Sequence, residues 1–204
     1  MRIVKILFAL LFGFTLCKGQ SNNGKYDSIK EQAATLTSYY DSVMKSTGTQ
    51  RAKYEMLFFK AFPSSFHRME ELFGYDEKNG VAAILYDSGE NIINLFDSLR
   101  YINKTLYYNK YIDICIGGKW EADNIQGGFD MYNKLYYDAK RVLNILSKCN
   151  ESEIRSVFHF VLDGPIPDKE SYNALYVRLQ KVNPYMAGLM REEFDKLLQE
   201  HNEH

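Results

Sequence analysis

The chain of 204 residues carries no excess of positive charge: 25 Lys and Arg stand against 26 Asp and Glu. That balance argues against a nucleic-acid partner, which favours a basic face. Beyond the first residues no apolar run approaches the roughly 20 residues that a membrane-spanning helix needs, so no transmembrane segment is expected there. Internal repeats, low-complexity tracts and long linkers are also missing, which leaves one domain rather than several. Motifs that carry chemistry are equally scarce. There is no His-Glu-x-x-His and no metal-spaced cysteine set, so no metal is expected. No Gly-x-x-x-x-Gly-Lys-Ser/Thr loop and no Gly-x-Ser-x-Gly elbow is present either. No cofactor and no catalytic residue follow from motifs.

What is present begins at the amino terminus. Met1-Arg2-Ile3-Val4-Lys5 is a short basic start, and an apolar run from Ile6 to Cys17 follows, interrupted only by Gly13 and Thr15. Cys17 and Gly19 are small residues at the positions a signal peptidase reads. Residues 1–19 are therefore expected to be a secretory signal peptide cut between Gly19 and Gln20. Export then places residues 20–204 in the periplasm or outside the cell. A lipidated Cys17 is the weaker alternative, because Leu16 stands where that signal has a small residue. Loss of Arg2, Lys5 and Lys18 turns an acidic excess of one into an excess of four. Cys115 and Cys149 remain in an oxidising compartment, and the sequence leaves open a disulfide or two buried thiols.

The rest reads as helix. Tyr26, Ile29, Ala33, Leu36, Tyr40 and Val43 recur at three- and four-residue steps, a single apolar stripe, with Gly48 as its stop. A second helix over 49–62 is stopped by Pro63. Ser64 or Ser65 caps a third carrying Phe66, Met69, Leu72 and Phe73, with Gly74 at its end. Asp76 to Gly80 is a polar turn; Asn79-Gly80 can signal a hairpin, but no alternating strands flank it. Short helices are expected over 81–86 and 90–99. Residues 106–116 fit either a helix or a buried strand. A long helix is predicted over 129–148. Asn150 with Glu153 resembles a capping box, Asp168 caps the helix that follows, and Asn183-Pro184 opens the last. The expected class is all-α, a compact single-domain bundle of about eight helices.

Candidate functional residues come from composition rather than motif. Gly117-Gly118-Lys119-Trp120-Glu121-Ala122-Asp123 combines paired glycines, mixed charge and the only Trp. It reads as a binding loop anchored by Trp120, or as a tight turn with Trp120 in the core. The tyrosine doublets put Tyr107 and Tyr137 forward as contact residues at the rim of the core, or as packing between helices. His159 and Asp163 lie four apart, on one helix face. With Glu121 and Asp123 they outline the alternative, a hydrolase or other periplasmic enzyme; a helix-end link between them is the plainer reading.

Three segments also resemble a known family. They are Phe58–Pro63 with Leu72–Asp76 (FFKAFP and LFGYD), Tyr111–Asp123 (YIDICIGGKWEAD), and Phe158–Phe160 with Asp163–Pro165 (FHF and DGP). Together they are similar to small helical exported proteins of Bacteroidota, and a Gln20 just after the cut resembles export signals of the same bacteria. Members of that family look like immunity proteins encoded beside antibacterial toxins of contact-dependent or type VI secretion systems. The resemblance spans roughly residues 50–165. It implies a protein partner, a cognate toxin neutralised by stoichiometric binding, and carries no catalytic residue onto this chain.

Overall fold

A computed structural model describes residues 28–120, 125, 129–166 and 168–202. The expected signal peptide, Glu121 and Asp123 lie outside the described residues. Ten α-helices and one two-stranded hairpin make up the described chain, so it is all-α, with more helices than the eight or so expected.

Helix α1 (Ile29–Lys45) starts where the Ser28 side chain accepts from the Glu31 N–H at 3.1 Å. It packs along α2 (Gly48–Ala61) through a two-residue connection. Gly48 opens α2 instead of merely ending α1. Phe62 and Pro63 stop α2, and Ser65 caps α3 (Phe66–Phe73) by accepting from the Arg68 N–H at 3.3 Å.

After α3 the sequence expectation fails. Residues 75–82 form a hairpin, β1 (Tyr75–Asp76) paired antiparallel with β2 (Val81–Ala82), Tyr75 opposite Ala82. Two bonds extend the ladder back to α3, Ala83 N–H to Gly74 O and Leu85 N–H to Leu72 O, both 2.9 Å. So short a strand pair shows no alternation in the sequence, but this continuation supports it. The helix expected over 81–86 is absent. Val81 and Ile84 face solvent, and a 3₁₀ turn (Tyr86–Ser88) leads into α4 (Gly89–Asp97).

The ambiguous stretch is helix α5 (Lys104–Cys115), capped by Asn103, whose side chain accepts from the Thr105 and Leu106 N–H groups. The long helix expected over 129–148 is two, α6 (Met131–Tyr137) and α7 (Ala139–Leu146), broken at Asp138 (φ −126°, ψ 36°). The break has partners. Tyr108 of α5 donates to the Asp138 carboxylate at 3.0 Å, and Arg178 donates to the Tyr136 carbonyl at 3.1 Å. Carbonyls released by a helix break are tolerated when another donor takes them. Helix α8 (Glu151–Leu162) has a complete capping box of Asn150 and Glu153. Asp168 caps α9 (Lys169–Gln180), and the Asn183 side chain accepts from the Met186 N–H at the head of α10 (Pro184–Asn202).

One connected apolar core runs from Ala33 to Leu197. Phe96 is central to it, stacked on Phe62 at 4.0 Å between ring centres. Cys115 and Cys149 are buried thiols with no bond between them. Two buried charges are fully engaged. Glu55 accepts from Arg51 Nε and from the Arg100 and Tyr101 N–H groups. Lys110 donates to the Phe59 and Phe62 carbonyls, both at 2.6 Å, at the carboxyl end of α2, and lies 4.8 Å from the Phe59 ring centre.

Candidate functional site

Three side chains on one face of α8 hold the loop that follows α5. Ser156, Phe160 and Asp163 are spaced four and three apart, so they form a single row along the helix. Ser156 Oγ accepts from the Gly117 N–H at 2.7 Å, and Asp163 Oδ2 accepts from the Trp120 N–H at 2.7 Å. Between them Gly118 is buried against Phe160, so closely that a Cβ would sit 2.4 Å from that ring. Gly117 has φ +76°, a conformation glycine adopts at no steric cost. The paired glycines are thus used for two reasons, a left-handed backbone and a close approach.

This anchoring presents Lys119 outward, with Nζ 3.8 Å from Glu70 Oε1 on α3. Helix α3 is itself fixed against α8 by Phe66, which meets Phe160 edge-on at 5.2 Å. Between α3, the hairpin and Lys119 lies an open groove of about 520 Å³. Its α3 wall carries His67, Glu70 and Glu71, and its hairpin wall carries Tyr75, Asp76, Glu77 and Val81 with small neighbours. His67 approaches Glu70 and Glu71 at 3.8 and 3.7 Å but is mostly exposed. Asn79 bonds hold the Asp76 carboxyl below its ordinary range. Tyr75 and Val81 are exposed, and the Tyr75 ring leans on Tyr86 at 5.7 Å.

The expected site residues therefore divide. Gly117, Gly118, Lys119 and Trp120 form one anchored loop, with Trp120 half-buried. Tyr107 is corrected from contact residue to core residue. It is 4% exposed, and its hydroxyl donates to the Phe96 and Asp97 carbonyls, because α5 is enclosed on nearly every side. Tyr137 is 75% exposed at the end of α6 and takes no part in lining the groove.

The His159 and Asp163 side chains do not pair; the two residues are linked only at the helix end, where the Asp163 N–H donates to the His159 carbonyl at 2.8 Å. Asp163 is occupied by the Trp120 N–H, and His159 Nδ1 lies 3.8 Å from Glu193 on α10. Glu193 is nearly buried and also receives Arg155 at 3.1 Å and Lys196 at 2.7 Å. Burial pushes its carboxyl up, but those cations outweigh burial and hold it below its ordinary value.

A second polar cluster, at the end of α4, has no signal in the sequence. Asp97 accepts from the Tyr111 hydroxyl, and burial pushes its carboxyl up to about 6. Lys134 donates to the Asp97 carbonyl at 3.3 Å and pairs with Asp130. These contacts close a helix end, which suffices to explain them. Among the described residues no group of three His, Cys, Asp or Glu side chains is placed to hold a metal. No helix among them is long and apolar enough to cross a membrane.

The described chain is an all-α protein with a solvent-open, acidic groove beside the expected binding loop. No protein-family model, curated protein or solved structure matches it.

Proposed function

We propose that this protein works by binding another protein, as an exported immunity-type protein that neutralises an antibacterial toxin stoichiometrically. One observation carries the reading. The Gly117–Trp120 loop, held rigidly on α8, borders a solvent-open groove with exposed apolar and carboxylate side chains. A pre-ordered rim beside an accessible patch is suited to protein recognition, since little ordering entropy is lost on docking. The family resemblance of three segments points to the toxin, and the amino-terminal sequence to the periplasm.

The test is capture from the native host with the chain beginning at Gln20, followed by co-expression of the captured protein in the periplasm. A stoichiometric complex that restores growth is the expected result. Trp120→Ala should weaken the complex by roughly 30-fold if Trp120 is an anchor contributing about 2 kcal/mol. Protection that needs far less than one copy of this chain per toxin would overturn the reading in favour of catalysis.

A further inference from the structure

We draw no further inference here: the strongest candidate, the solvent-open pocket between α7 and the α9–α10 turn lined by Lys140, Arg141, Asn144 and Asn183, is a patch of exposed surface cations in which Arg141 already meets Asp138 at 3.3 Å, and nothing in the structure points to a ligand that would cover it.

Discussion

Two surfaces of this protein are rich in carboxylates, and they differ in how the charge is met. On the α8–α10 face Glu151, Glu192 and Glu193 converge on Arg155 at 2.9, 2.7 and 3.1 Å, and Lys196 adds a second cation to Glu193. Among the described residues that line the α3–hairpin groove, four carboxylates stand beside one lysine and one histidine, and Arg68 reaches Glu71 from outside the lining. The first arrangement uses charge to fix one helix to another, and its acids are spent. The second leaves charge available at a concave surface. The count of acidic residues does not separate the two; the position of the counter-charge does.

The contrast predicts different costs of substitution. The largest concerns the support behind the groove. Gly118→Val drives a branched side chain into the Phe160 ring and is expected to destabilise the fold by about 3 kcal/mol, read from denaturant unfolding. A stability equal to the parent would mean that the loop is not held against α8. Next comes Arg155→Met, which leaves nearly buried Glu193 with Lys196 as its main cation. A loss of about 2 kcal/mol is expected, reduced from the cost of a deeply buried pair because Arg155 is partly exposed. If unfolding is unchanged, the α8–α10 network is ornament, and the comparison loses one of its sides.

The interior sharpens the point through Lys110. Burial pushes its ammonium down to about 7 from an ordinary 10.5. The unfolded chain therefore binds more protons than the folded one between those values. The penalty of holding the charge inside is full below about pH 7 and fades as pH rises towards 10.5. The stability of the parent relative to Lys110→Met should thus increase from pH 7 to pH 9, read by thermal unfolding of both proteins. A constant difference would mean that the two carbonyls and the Phe59 ring compensate the charge fully. The smallest effect is expected in the groove itself. Glu70→Gln/Glu71→Gln/Glu77→Gln should change stability by no more than about 0.5 kcal/mol, as partly exposed sites do. A large loss would make these acids structural, like those of α8 and α10.

Much of the helical frame was legible because caps and stripes act locally. The Asn150–Glu153 box, the Asp168 cap, Ser65 and Pro63 each satisfy or forbid backbone bonds within one turn, and each stands where the sequence placed it. What escaped depends on distant partners. The break at Asp138 is met by Tyr108, thirty residues away, and by Arg178. The hairpin over 75–82 is too short for periodicity to reveal. Half of the candidate site followed the same rule. Paired glycines beside a lone Trp singled out Gly117–Trp120, whereas the groove carboxylates become neighbours only when the hairpin folds back beside α3. Tyr107 and Tyr137 look alike as members of doublets, yet one lies on an enclosed helix and the other at an exposed helix end. Neighbouring residues alone do not make that distinction.

The most direct measurement is amide hydrogen exchange on the complex with the protein captured from the host, compared with the free chain. Protection concentrated in 66–86 and 117–120, with 184–202 unaffected, is the result this account predicts. Protection of the α8–α10 face, with the groove exchanging as in the free chain, would contradict it.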